Sequence, residues 1–238
     1  MEGIELKNRW IILNQIGKGA FGTVYNVKDK KNNKEWAIKI VKLPSSNNNI
    51  VQKRAADTLF YEYTLLTNLL SDFPYRGSNP LNFYGEDKGV RYLVMEKFDE
   101  DLCVYSKRKS VRNDEISKFG ISILSGLEFI HNKGFLFVDV KPENFMLKNG
   151  LIKFVDFGLI TSITSGIKGE GTPTYLGNYP LDGENITPQD DIEAMCYTLL
   201  SVKNKCTLPW SNAENIQEII SIRKNIKKVS KEVITTPQ

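Results

Sequence analysis

The chain has 238 residues, 41% of them hydrophobic and 25% charged, enough for one large or two small cores. A net charge of +4 is mild, and no apolar run approaches the ~20 residues a membrane span needs, so neither membrane nor nucleic acid is expected as a partner. MEGIELKNRW lacks a signal-peptide core, and Cys103, Cys196 and Cys206 form no C-x-x-C pair; reduced, buried thiols in an intracellular setting, cytoplasmic or nuclear, are the expectation. Basic residues cluster at 107–112 and 223–231, where solvated faces are the ordinary reading.

In chain order, residues 10–16 predict a strand, and Gly17, Gly19 and Gly22 then follow with G-x-G-x-x-G spacing. Glycines allow a backbone to approach phosphates closely. In a dinucleotide fold the third glycine opens a helix, but residues 23–27 alternate with β-rich side chains, so the loop should join two antiparallel strands. A third strand covers 35–41 and contains Lys39, seventeen residues beyond Gly22. A helix over 51–70 carries Glu62 between Leu59 and Leu66, with Asp57 as the rival acidic position. Strands over 81–84 and 91–95 complete a five-stranded sheet. Helical patterns follow over 101–107 and 113–131, the second with Ile116, Phe119, Ile123, Leu127 and Ile130 on one face. His131 closes that pattern, where a cation suits a helix C-terminus; it is not read as a catalytic base.

The stretch FVDVKPENFMLKNGLIKFVDFG, 137–158, is the most informative in the chain. The polar run after Asp139 argues for a loop and the alternation over 151–155 for a strand, so a hairpin should present Asp139, Lys141, Asn144 and Asp156 at one end. Phosphoryl transfer needs those types: a carboxylate to position a hydroxyl and take its proton, a cation near the migrating phosphate, and oxygen ligands for Mg²⁺.

D-x-K-P-E-N followed by D-F-G resembles the catalytic loop and metal-binding motif of eukaryotic protein kinases. The resemblance implies an α+β, bilobal kinase-like fold: an N-lobe over 1–95 with a five-stranded antiparallel sheet and one helix, a hinge over 96–100, and a mainly helical C-lobe over 101–238. It implies ATP and Mg²⁺ as cofactors, with contacts to the nucleotide from Ile16, Gly17, Lys18, Gly19, Gly22, Val24, Ala37, Lys39, Met95, Glu96 and Phe98. Lys39 would hold the α- and β-phosphates and pair with Glu62; Asp139 would be the base, Lys141 the cation, and Asn144 and Asp156 the metal ligands. Thr172 would contact Asp139 and Lys141, and Asp191 would hold the catalytic-loop backbone from below.

Within the family the sequence is most similar to the casein-kinase-one and vaccinia-related-kinase branch. LVMEKFDEDL, the missing A-P-E, and the spacing of Gly171-Thr172, Tyr175, Gly183, Asp190 to Glu193 and Leu208-Pro209-Trp210 carry that likeness. Lys141 and Thr172 point to serine and threonine acceptors on protein substrates. Three departures matter. Phe137-Val138 replaces the usual H-R: Phe137 can pack under Phe157, but Val138 cannot bind a phosphate, which implies activity without activation-loop phosphorylation. Thr187-Pro188-Gln189 stands where casein kinases carry an arginine pair. Beyond Trp210 only one further helical pattern, 213–228, is left, so a shortened C-lobe could expose apolar surface to a protein partner or an oligomer. A pseudokinase or docking module that binds without catalysis is the alternative these departures motivate; a small-molecule phosphotransferase is a third reading, disfavoured by the segment 172–183.

Overall fold

The computed structural model describes residues 1–19, 22–44, 50–76 and 83–235, with side chains of the last helix described as far as Ile226. Two compact units emerge, one of residues 1–99 with 156–158, the other of residues 100–155 with 159–238.

The first unit is a six-stranded sheet, β1 (Glu5–Leu6), β2 (Trp10–Gly19), β3 (Gly22–Asp29), β4 (Glu35–Lys42), β5 (Phe83–Asp87) and β6 (Val90–Met95), in the order β1-β2-β3-β4-β6-β5 with every pairing antiparallel. Strand β4 is buried from Trp36 to Val41, so its two faces serve two cores. Trp36, Ile38 and Ile40 join Trp10, Ile12, Val27 and Tyr92 on one face. Val41, on the other, packs with Ala56 and Leu59 of helix α1 (Ile50–Thr64).

Two expectations change here. The sheet has a sixth strand, β1, only two residues long and turned back by Lys7 and Asn8 in left-handed conformations, too short to leave a periodic signal. The helix predicted over 51–70 closes in a π-helical turn, Leu65–Leu69, which leaves Leu69 exposed and Leu70 buried. Residues 81 and 82 of the predicted strand 81–84 lie outside the described residues, as do Ala20 and Phe21 of the glycine run.

The second unit is mainly helical: α2 (Leu102–Arg108), α3 (Asn113–Asn132), α4 (Asn178–Leu181), α5 (Pro188–Lys203) and α6 (Ile216–Thr235). The apolar face read along α3 is the buried one, Phe119, Ile123, Leu127 and Ile130. Short strands β7 (Glu100–Asp101), β9 (Phe145–Lys148) and β10 (Leu151–Phe154) form one ribbon, and β8 (Phe135–Leu136) pairs with β11 (Thr161–Ser162) in another. Phe137, Phe145 and Phe154 pack ring against ring beneath the hairpin, while Phe157 meets Phe73 edge-on in the first unit.

The cysteine expectation is corrected. Cys103 and Cys206 are bridged, with Cα atoms 5.1 Å apart, and Cys196 is exposed. Two cysteines 103 positions apart have no legible spacing; the fold brings the first turn of α2 to the turn after α5. The basic residues of the cluster at 107–112 are exposed, as expected of a solvated face, and there Arg108 pairs with Glu100, Lys109 with Glu115 and Arg112 with Asp114.

Candidate active site

In the first unit the glycine run continues the β2–β3 hairpin: Gly17 pairs with Val24, Lys18 with Thr23 and Gly19 with Gly22. Gly22 has φ +153°, and a Cβ there would sit 2.8 Å from the Ile40 carbonyl oxygen, so only glycine fits. Lys39 lies on β4, paired across the sheet with Val24 and Leu93, and is 6% exposed. Its Nζ donates to Glu62 Oε2 at 2.8 Å and to Asp156 Oδ1 at 2.7 Å. Glu62, 2% exposed, also accepts from the Phe157 N–H at 3.2 Å. Asp57 instead lies 3.6 Å from Arg91, largely exposed, so Glu62 is the lysine's partner.

Burial alone pushes the Lys39 ammonium down, but the charges and hydrogen bonds of Glu62 and Asp156 outweigh it and its pKa stands raised. Desolvation pushes the Glu62 carboxyl up, against the pull of Lys39. The lysine's direction is the decisive one, because it touches two carboxylates at hydrogen-bond distance; the group is a buried cation between two acids. Asp156 has φ +58°, a left-handed geometry that aspartate tolerates better than most residues.

The hinge residues follow β6. Met95 packs against the core under α1, and Glu96 and Phe98 are half-buried in a segment without regular structure. Ile16 is 48% exposed, Lys18 is exposed, Gly17 and Val24 are half-buried, and Ala37 is buried.

In the second unit, three donors grip Asp139. Thr172 Oγ1 donates to Oδ1 at 2.7 Å, Lys141 Nζ lies 2.6 Å from Oδ2, and Asn144 Nδ2 reaches Oδ2 at 3.1 Å and the Asp139 carbonyl at 2.8 Å. Lys141 Nζ closes the set by donating to Thr172 Oγ1 at 3.0 Å. Asp139 is 7% exposed, so its carboxylate is oriented rather than free to rotate. With Nδ2 occupied by Asp139, Asn144 keeps its Oδ1 to offer, and Asp156 offers a carboxylate. Those are hard oxygen donors of the kind Mg²⁺ takes. Glu143, next to Asn144, is exposed as a residue, yet desolvation of its carboxyl pushes it up.

Beneath this loop Asp191 is 1% exposed, and its oxygens accept from the Phe137 N–H at 2.8 Å and the Val138 N–H at 2.9 Å. His131 Nε2 lies 2.9 Å from the same carboxylate. The histidine is therefore a second support of Asp191 and not simply a helix-end cation. Val138 is held at φ +72°, a strained place for a β-branched residue, and is buried among Leu136, Ile186 and their neighbours.

A protein-family model described as protein kinase domain matches residues 10–237. The chain belongs to the protein kinase family. Membership accounts for the antiparallel-sheet unit and the helical unit, and in general it implies ATP and a divalent metal ion. A RAC family serine/threonine-protein kinase homolog of Dictyostelium discoideum is 30% identical over 188 residues, 76% of this chain and 40% of that protein. A probable casein kinase I homolog of Encephalitozoon cuniculi is 30% identical over 216 residues, 84% of this kinase-family chain and 64% of that protein. A membrane-associated tyrosine- and threonine-specific cdc2-inhibitory kinase of Caenorhabditis elegans is 27% identical over 212 residues, 86% of this chain and 29% of that protein. The chain thus spans 29% to 64% of the length of these relatives, whose names come from different kinase groups.

One supporting residue escaped the sequence reading. Arg223, from the basic run 223–231, is 6% exposed; it donates to the Thr174 carbonyl at 2.9 Å and the Leu176 carbonyl at 2.7 Å. Its guanidinium lies over Tyr197 and Trp210, 4.3 and 4.5 Å from the ring centroids, and Trp210 Nε1 donates to the same Thr174 oxygen at 2.7 Å. The segment after Thr172 is held from α6, where A-P-E is missing. Arg223 opens a predicted charge run, and only its place on the α6 face that packs with Ile219 and Ile220 could have marked it.

Proposed function

We propose that this chain is a serine/threonine protein kinase that moves the γ-phosphoryl group of Mg²⁺-ATP to a serine or threonine hydroxyl of a protein substrate. The observation that carries the reading is the closed set of Asp139, Lys141 and Thr172, which fixes a carboxylate beside a cation. Asp139 would orient the acceptor hydroxyl and take its proton as the oxygen attacks. Lys141 would neutralise charge on the migrating phosphoryl group, and Lys39, itself held by Glu62, would bind the α- and β-phosphates. Bound Mg²⁺ supplies charge neutralisation of the phosphates, with Asn144 and Asp156 as its oxygen donors. Transfer needs the acceptor hydroxyl and the nucleotide engaged together.

The branch proposed is that of casein kinase one and the vaccinia-related kinases, supported by the motifs from 93 to 210 and by the similarity to a casein kinase I homolog. Independence from activation-loop phosphorylation is supported by Val138, a buried apolar side chain at the position where an arginine would receive the phosphate. The docking-module alternative is weakened by the buried Lys39–Glu62 pair, since buried charges are costly and a chain that only docks has no use for them. The test is phosphoamino-acid analysis of casein labelled by the wild-type chain. Phosphoserine and phosphothreonine are expected; phosphotyrosine as the main product would overturn the specificity.

A further inference from the structure

The molecule holds a second cluster of reactive side chains within the helical unit. The Cys103 and Cys206 sulfurs and a Glu143 carboxylate oxygen all lie within 4.8 Å of one another. Cys103 is buried in the first turn of α2, Cys206 is half-buried after α5, and Glu143 is exposed on the turn Pro142–Asn144. Helix α2 packs on that same turn.

We propose that these three residues are a redox-gated metal site for a zinc-class divalent cation. Bridged, the two sulfurs are bonded to each other and cannot ligate. Reduced by an external dithiol, the Cys103–Cys206 bond breaks, two thiols form, and the dithiol leaves as its own disulfide. Cation binding then displaces the two thiol protons and places two thiolates and the Glu143 carboxylate around one ion. Zinc-class bond lengths of ~2.3 Å to sulfur and ~2.1 Å to oxygen put neighbouring ligand atoms ~3.5 to 4 Å apart; once the bridge is broken the sulfurs need only part to that distance, and a carboxylate oxygen already lies within 4.8 Å of both. Two sulfur donors favour such an ion over Mg²⁺, so this site would not compete with the nucleotide's metal. Three protein ligands leave a fourth position to water.

Glu143 is flanked by Pro142 and Asn144, and Asn144 is bonded to Asp139. Occupancy would therefore pin the loop that carries the proposed base, and oxidation would release Glu143 from it. The site itself rests on residues of one unit and does not depend on the phosphotransfer reading.

The experiment titrates Cd²⁺, as a spectroscopic substitute for zinc, into the whole chain in both redox states, following the ultraviolet thiolate-to-metal band. The phosphine-reduced wild type should bind one equivalent and the oxidised wild type none. Thiol counts of three and one in those states check that the same bridge is responsible. Cys196→Ser should bind like wild type, and Glu143→Gln at least about tenfold more weakly, since even outer-shell changes cost that much. The site is refuted if the reduced wild type takes up no stoichiometric cation, or if oxidised and reduced chains bind equally. Unchanged affinity in Glu143→Gln would remove the carboxylate and with it the link to the catalytic loop. Comparing redox states of one sequence keeps the test valid should Cys103→Ser or Cys206→Ser fail to fold.

Discussion

Replacing Asp191 by asparagine should destabilise the helical unit far more than its one-atom change suggests. The carboxylate can only accept, and three donors converge on it: the Phe137 and Val138 amides at 2.8 and 2.9 Å and His131 Nε2 at 2.9 Å. An asparagine turns one acceptor into an NH₂ that confronts a buried N–H. Losing one charge-assisted bond and leaving its donor unsatisfied costs about 1.5 to 3 kcal/mol. The left-handed Val138, at φ +72°, stores roughly 1 to 3 kcal/mol that those bonds oppose. A loss of about 2 kcal/mol should lower the melting midpoint by roughly 4 to 8 °C, at ~2 to 4 °C per kcal/mol for a chain of this size. Thermal unfolding followed by circular dichroism on wild type, Asp191→Asn, Val138→Gly and the double variant measures this. Val138→Gly removes the strain, so in that background Asp191→Asn should cost at least as much as in the wild type, with no strain released to offset the lost bonds. A midpoint for Asp191→Asn within about a degree of wild type, or a clearly smaller cost beside Val138→Gly than in the wild type, would refute the reasoning.

Lys39→Met should abolish transfer and also destabilise the sheet unit by about 3 kcal/mol, because it strands a buried glutamate; the Lys39→Met/Glu62→Gln double variant should regain much of the stability but none of the activity, as denaturant melts and transfer assays would show. Glu115, at the start of α3, accepts from Lys109, Tyr105 and the Arg112 N–H, which together hold its pKa down to about 2, against 4.5 for a free glutamate. A depressed carboxyl contributes stability above its unfolded pKa and loses it as pH falls, so the gap between wild type and Glu115→Gln should be ~1 to 2 kcal/mol at pH 6 and close as the pH falls towards the folded pKa. Arg223→Met should raise the KM for a protein substrate with less effect on that for ATP, because the Thr174 and Leu176 carbonyls lose their donor; Arg223→Lys should recover only part, lacking the planar fork.

The candidate site was legible because phosphoryl transfer demands residue types at fixed spacings. Lys39, Glu62, Asp139, Lys141, Asn144, Asp156 and Thr172 could be picked out from loop and strand patterns together with the resemblance, and the structure gathers them into two clusters, one in each unit. The preference for Glu62 over Asp57 followed from its apolar neighbours at i−3 and i+4, which put it on the buried face. What stayed hidden depends on long-range closure. The Cys103–Cys206 bridge spans 103 positions, Arg223 reaches back 47 and 49 residues to its carbonyls, and His131 meets Asp191 across 60. No periodicity encodes those distances. Nor did the two-residue β1 or the π turn after α1 leave a signal, since each departs from the regular period by which elements are read.

The most direct test of the central claim is transfer of labelled phosphate from Mg²⁺-ATP to casein by wild type and by Asp139→Asn, which keeps the side chain's size and removes the base. Labelling by wild type, reduced at least about a hundredfold in Asp139→Asn, is the predicted result. Equal labelling by the two chains would contradict Asp139 as the base, and no labelling by wild type that binds ATP would contradict the kinase activity itself.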